Sequence, residues 1–201
     1  MNKVIKNTLI LTAITLVAGL LLGAVYEITK EPIRQAAIKA ANDACKQVVS
    51  NAETFEEYSE FDLEAGNNLL KDNGLSSEEL EKVYVGTSDS GEVVGYAITT
   101  VTHNGFAGDI KLTVGISKDG ECLGVSILTI GETAGLGMKA KEAEFLGQYA
   151  NKKVEKFAYS KTGASQENEI DAISGATITT NAVTDAINAG LLYYNEVLGG
   201  K

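Results

Sequence analysis

Residues 7–26 read NTLILTAITLVAGLLLGAVY, twenty positions with no charged side chain. A helix of about 20 mostly apolar residues spans the hydrocarbon core of a bilayer. Lys3 and Lys6 are the only charges before Glu27. The positive-inside rule puts that short end in the cytoplasm and everything from about Glu27 onward outside. A cleaved signal peptide is the competing reading. Against it, the core is longer than a usual h-region, Leu22-Gly23-Ala24 is a poor cleavage site, and no cysteine stands behind it for lipid attachment. A retained single-pass anchor in the cell membrane is expected. Gly19 and Gly23 form a GxxxG that suits close approach of another membrane helix, although glycine is also common in such helices generally.

The chain has 201 residues, enough for one domain of ordinary size behind the anchor. A net charge of −10 argues against a nucleic-acid partner and favours solubility of the part outside the membrane. His103 is the single histidine, and Cys45 and Cys122 lie far apart with no CxxC, so a His- or Cys-based metal cluster is not expected. The two cysteines make one disulfide only if their segments touch. Glu53, Glu56, Glu57, Glu60, Asp62 and Glu64 form an acidic run, read as a solvated face rather than a metal site.

Pro32 suits the first turn of a second helix whose small-residue face is Ile33, Ala37, Ala40, Ala41, Ala44 and Val48. Residues 75–79, LSSEE, read as a cap and a short helix start. From residue 82 the apolar period changes to two. Strands are expected around Val83–Val85 and over Glu92–Thr102, Asp109–Ile116 and Cys122–Ile130, with turns at Asp89-Ser90-Gly91 and Lys118-Asp119-Gly120. A helix is expected over Lys139–Tyr149, and short strands over Lys153–Ala158 and Glu169–Ile173. A final helix runs from about Ile178 to Leu198. Ile178, Ala182, Val183, Ala186, Ile187, Leu191, Tyr194 and Leu198 outline one buried face, and only one of Tyr193 and Tyr194 can face the core well. Strands followed by helices, without strict alternation, give an α+β fold: an antiparallel sheet with flanking helices. The expected division is a cytoplasmic N-terminus (1–6), a transmembrane helix (7–26), a helical connecting region (27–80) and a folded domain (81–201).

Two loops carry chemistry. Asp171-Ala172-Ile173-Ser174-Gly175-Ala176-Thr177 precedes the final helix. A hydroxyl-rich turn at a helix start gathers unpaired N–H groups and the positive end of the helix dipole, which suits a phosphate. The simpler reading is that Ser174 or Thr177 caps the helix. Gly131-Glu132-Thr133-Ala134-Gly135-Leu136-Gly137 leaves the fourth strand, and its three glycines permit close backbone approach to a phosphate or a flat ring. Its spacing is not the dinucleotide-binding fingerprint. Asn104-Gly105-Phe106-Ala107-Gly108 is a further glycine-rich loop, in which Phe106 is either an aromatic wall or a loop anchor. His103 reads as a surface turn residue.

Taken together, Asp-x-x-Ser-Gly-Ala-Thr before a C-terminal helix, an upstream Glu-Thr-x-Gly-Leu-Gly and an N-terminal anchor resemble the FMN-binding domain of membrane redox complexes. The resemblance covers nearly the whole chain and is greatest to the G subunits of Rnf complexes, ion-pumping ferredoxin:NAD+ oxidoreductases. The C subunit of the Na+-translocating NADH:quinone reductase shares the motif but is usually longer. The resemblance implies FMN joined through its phosphate, as a phosphoester, to Thr177, with Thr179 as the fallback acceptor. It matches Asp171 to the acid that opens the motif read by a flavin transferase, which installs FMN from FAD. Ser174, Gly175 and Ala176 fill the remaining motif positions. Glu132, Thr133, Gly135, Leu136 and Gly137 match the element that lies along the flavin. The implied partners are other membrane subunits of the complex and, during maturation, the flavin transferase.

The physical reading agrees. A phosphoester at Thr177 lies where the helix dipole favours its remaining charge, and Gly175 removes a side chain that would crowd it. A covalent tether suits an extracytoplasmic cofactor that is hard to replace if lost. The expected role is an electron-transfer subunit in which the flavin supplies the redox chemistry and no side chain is catalytic alone. The alternatives are a non-redox extracytoplasmic module that binds a phosphate ligand, and a structural subunit with no ligand.

Overall fold

The computed structural model describes residues 2–199. By internal packing the chain divides into two compact units, residues 1–40 and 41–201.

Helix α1 runs without interruption over Lys3–Val48 and includes Pro32 in its interior. The second helix expected to start at Pro32 is therefore part of the first. Proline forfeits one backbone hydrogen bond, yet good helix formers on both sides carry the helix across it. Within the first unit the apolar side chains are bare: Leu9, Leu16, Leu20 and Leu22 are 57–72% exposed. Nothing packs within 4 Å of where a side chain at Gly19 or Gly23 would lie. So long an exposed apolar surface is stable only in lipid or against another apolar helix.

The second unit is built on a five-stranded antiparallel meander in the order β1-β2-β3-β4-β5. Its strands are β1 (Thr54–Glu57), β2 (Glu78–Thr87), β3 (Val93–Thr102), β4 (Ile110–Ser117) and β5 (Cys122–Thr129). The stretch 27–80, expected as a helical connector, is divided differently. It supplies the end of α1, strand β1, helix α2 (Leu63–Asp72) and the start of β2. Asp62 caps α2 by accepting the Ala65 N–H at 3.0 Å. The cap-like LSSEE leads into a strand instead: Glu78 and Glu79 pair with Thr102 and Val101, and the sheet overrides the local helix signal.

One face of the sheet carries Ile98, Leu112, Val114 and Ile116, all fully buried. Across it lies helix α4 (Thr177–Tyr193), extended by one π-helical turn over Tyr194–Leu198. Twelve of the seventeen α4 residues are buried, so the helix has no single buried face. It is covered all round. For that reason both adjacent tyrosines are buried, with Tyr193 edge-on to Phe61 at 5.6 Å and Tyr194 against Tyr96 at 5.8 Å. Ile178, expected in the core, is 54% exposed.

The opposite face of the sheet is flat where the last turn of α1 lands. Gly95 and Gly115 face the helix end there, and a Cβ at Gly115 would overlap the Val48 backbone. Cys45, Val48, Val49, Ala52 and Ala97 form the small core of this face. Cys122 belongs to the main core on the other face, and both cysteines are free thiols, so no disulfide forms.

The helix expected over Lys139–Tyr149 is broken into a 3₁₀ turn (Gly137–Lys141), α3 (Ala143–Leu146) and a second 3₁₀ turn (Gly147–Tyr149). Glu142 is extended (φ −72°, ψ 140°) and interrupts the run. The strand expected over Lys153–Ala158 is displaced to β6 (Ala158–Ser160), which pairs in parallel with β7 (Glu169–Asp171). Phe157 finds its partners elsewhere: Asn188 of α4 accepts its N–H at 2.8 Å and donates to its C=O at 3.0 Å.

Candidate functional site

Strand β5 ends at Thr129 and the chain enters the Gly131–Gly137 loop. Strand β7 ends at Asp171 and the chain turns through Ser174 and Gly175 into α4. The sheet and α4 bring these two loops face to face. Between them lies a cleft of about 360 Å³, within the range of small-ligand sites. One wall is Glu132, Thr133, Leu136 and Gly137, the other is Gly175 through Thr179, and Phe106 closes an end. Phe106 is 67% exposed, an aromatic wall rather than a buried loop anchor. Leu136 and Ile178 are also exposed apolar side chains at this cleft. Ile178 was the residue least legible from sequence, since its spacing matches the core positions that follow it.

The start of α4 decides between a cap and a ligand site. The N-cap position is Ala176, which has no side chain to offer, and no side chain caps the helix. Neither Ser174 nor Thr177 is the cap. Thr180 is the first residue of the helix whose N–H reaches back to an acceptor, the Ala176 carbonyl at 3.0 Å. The N–H groups of Thr177, Ile178 and Thr179 thus have no acceptor among the described residues. Such a helix end attracts an anion. Thr177 is half-buried, and no hydrogen bond engages its hydroxyl among the described residues. Gly175 has φ +77°, a left-handed turn that favours glycine, and an added Cβ would stand 3.2 Å from Leu136 Cδ2.

The other hydroxyls differ. Thr179 is 1% exposed, and its Oγ1 donates to Glu132 Oε2 at 2.9 Å. Thr180 is fully buried, donates to the Ala176 carbonyl at 3.0 Å and accepts the Ile173 N–H at 3.0 Å. Of the threonines opening α4, Thr177 alone has an accessible hydroxyl with no protein partner. The fallback acceptor Thr179 is occupied and covered.

Not every expected site residue reaches the cleft. Asp171 sits at the end of β7, where its Oδ1 accepts the Ala164 N–H and its own N–H donates to Gln148 Oε1 at 2.6 Å. Asp171 and Ser174 border a neighbouring hollow of about 160 Å³ with Lys139, Phe145 and Gln148. Gly135 shapes its loop with φ +76° but does not line the cleft. A polar hollow of about 350 Å³, bordered by Asn104, Tyr159 and Asn181, meets the other side of Thr177 and Ile178. Behind it, burial raises the carboxyls of Glu78 and Asp185 above their ordinary range, and the charge of Asp185 raises Glu78 further. His103 is a half-exposed surface residue whose Nδ1 lies 2.9 Å from Asp109 Oδ1. Among the described residues no group of His, Cys, Asp or Glu side chains is arranged to hold a metal ion, including the acidic run of 53–64.

Two family models match this chain: the FMN-binding domain over residues 105–192, and the RnfG N-terminal region over residues 1–48. The first spans the cleft and all three of its loops, and the second ends with α1. The G subunit of the Na+-translocating ferredoxin:NAD+ oxidoreductase complex of Acetobacterium woodii is 35% identical over 96% of this chain and 93% of its own length. The chain belongs to the family of G subunits of ion-translocating oxidoreductase complexes. A second member, from the proton-translocating complex of Clostridium ljungdahlii, is 28% identical over the whole of this chain and 96% of its own length. The crystal structure of the C subunit of the Na+-translocating NADH-quinone reductase from Parabacteroides distasonis shares the fold, with a TM-score of 0.56 and 19% identity over 83% of this chain and 96% of that one.

Proposed function

We propose that this protein is a membrane-anchored electron-transfer subunit that carries FMN as a phosphoester on Thr177. We assign it to an ion-pumping ferredoxin:NAD+ oxidoreductase complex, alongside other membrane subunits. The observation that carries the reading is the free Thr177 hydroxyl at the uncapped start of α4, opening onto a largely apolar cleft. The residues present fit the group. The unpaired N–H groups of Thr177–Thr179 suit the phosphate, and Phe106, Leu136 and Ile178 suit a flat apolar ring. Bound FMN supplies one- and two-electron redox chemistry. The chain's own residues position it and keep part of it from water, and none is required as acid, base or nucleophile toward a substrate.

Attachment is assigned to a flavin transferase acting on FAD: Thr177 Oγ1 bonds to the phosphorus of the FMN half, the phosphoanhydride breaks, and AMP leaves. Asp171, Ser174, Gly175 and Ala176 complete the sequence presented to that enzyme. Lys3 and Lys6 support an N-terminus in the cytoplasm and a flavin domain on the outer side. A covalent bond keeps the cofactor there.

The full chain, produced in cells that contain the transferase, is expected to fluoresce under ultraviolet light in a denaturing gel. Thr177→Ala is expected to be dark and Thr179→Ala to stay bright. A dark wild-type band beside a folded protein would leave the phosphate-binding module as the reading. A bright Thr177→Ala band with a dark Thr179→Ala band would move the acceptor.

A further inference from the structure

Glu132 lines the cleft, yet the carboxylate is 7% exposed and both of its oxygens are already engaged by protein donors. Oε1 accepts the Ala107 backbone N–H at 3.1 Å, and Oε2 accepts the Thr179 hydroxyl at 2.9 Å. Those donors belong to the other two walls: Ala107 follows Phe106 in its loop, and Thr179 lies in the first turn of α4. The neighbouring backbone is fitted around this one side chain. A Cβ at Gly137 would stand 2.5 Å from Glu132 Oε2 and 2.7 Å from Thr179 Oγ1, and one at Gly105 would stand 3.1 Å from Oε1. Two glycines on separate loops therefore leave room for one carboxylate. Among the described residues no cation pairs with it within 4.0 Å, so its charge is held by hydrogen bonds alone.

We infer that Glu132 is the positioning residue of the cleft, a clamp that fixes the spacing of its three walls and does not itself bind the ligand. The inference rests on the cleft being the flavin site, but the clamp exists in the protein alone. Glutamine keeps the size and one acceptor. It cannot satisfy both donors, because the amide N–H₂ must face either Ala107 N–H or Thr179 Oγ1. Alanine loses both bonds. Gly137→Ala strains the same clamp from the other side without changing Glu132.

The test is hydrogen exchange at the Ala107 amide in the full-length protein, with the amide of Val114 in the sheet as the internal control. Glu132→Gln is expected to speed Ala107 exchange by about tenfold or more, the range for a lost charge-assisted bond. Glu132→Ala should speed it further, and Val114 should be unchanged. Gly137→Ala should act in the same direction, and the double variant Glu132→Ala/Gly137→Ala should show less than the product of the two single effects. In flavin-loaded protein the variants should also shift the flavin's visible spectrum and reduction potential while the flavin stays attached. Ala107 exchange unchanged in both Glu132 variants, or multiplicative effects in the double variant, would overturn the clamp. If wild-type protein carries no flavin, the flavin reading fails, and the exchange result still decides the clamp.

Discussion

Helices α1 and α4 are both rich in apolar and small residues, and they live in opposite surroundings. Only Ala44, Cys45 and Val48 of the 46 residues of α1 are buried, whereas twelve of the seventeen residues of α4 are. The difference follows from the side chains. Residues 7–26 offer large Leu and Ile side chains all round, with no polar face and no glycine-lined partner at Gly19 or Gly23. Helix α4 mixes small residues with Thr and Asn, whose polar groups find partners inside. Thr100 Oγ1 donates to the Ala186 carbonyl at 3.0 Å, Thr184 Oγ1 lies 2.9 Å from the Tyr149 hydroxyl, and Asn188 brackets Phe157. A uniformly apolar helix is solvated by lipid. A helix with small, hydrogen-bonding side chains can be enclosed by protein, and the one end of α4 left without partners is where a ligand belongs.

The largest effect should come from giving α1 the charge it lacks. Leu16→Arg together with Leu20→Arg is expected to release the protein from the membrane fraction, since each arginine near the bilayer centre costs about 2.5–3.5 kcal/mol on insertion scales. Retention in a carbonate-washed membrane pellet would place the anchor elsewhere. The next largest concerns the α4 core. Ile187→Ala removes a fully buried side chain and should destabilise the second unit by about 2–5 kcal/mol, read as a lower denaturant midpoint. The same change at Ile14, which is 60% exposed in α1, should leave that midpoint unmoved.

Asn188→Ala strips two partners from the Phe157 backbone and should cost about 1–3 kcal/mol. A neutral result would mean that water replaces the asparagine. The smallest effect concerns the acid pair behind α4. Burial, and then the charge of Asp185, raises the folded-state carboxyl of Glu78, so the folded protein binds its proton more readily than the unfolded chain does. Stability from this group is therefore present at low pH and falls as pH rises through the raised value. Glu78→Gln should flatten that fall and raise Tm at pH 7 by about a degree or two. A lower Tm at pH 7 and an unchanged pH slope would contradict it.

The four meander strands, the anchor and the last helix were legible because their signals are local: alternation with glycine turns, an uncharged apolar run, and helical spacing. What failed depended on distant partners. LSSEE carries the letters of a helix start, but Thr102 and Val101 draw it into the sheet. Asn188, thirty-one residues downstream, satisfies the Phe157 backbone and moves the expected strand to 158–160. The two motif loops were readable at the site, and the cleft between them places Glu132, Leu136, Gly175 and Thr177 together. Ala176 at the N-cap was the missed clue, since an alanine there leaves open the helix end that a serine or threonine would have closed. The engagement of Thr179 by Glu132 lay beyond sequence reading, because the two are forty-seven residues apart and meet only across the cleft.

The most direct measurement is the mass, with fragment-level localisation, of the peptide containing Thr177, taken from full-length protein made beside its flavin transferase. This peptide is expected to carry the mass of FMN less one water, with fragmentation assigning the added mass to Thr177. An unmodified peptide from folded, membrane-inserted protein, or the same added mass on Thr179 or Ser174, would contradict the attachment at Thr177.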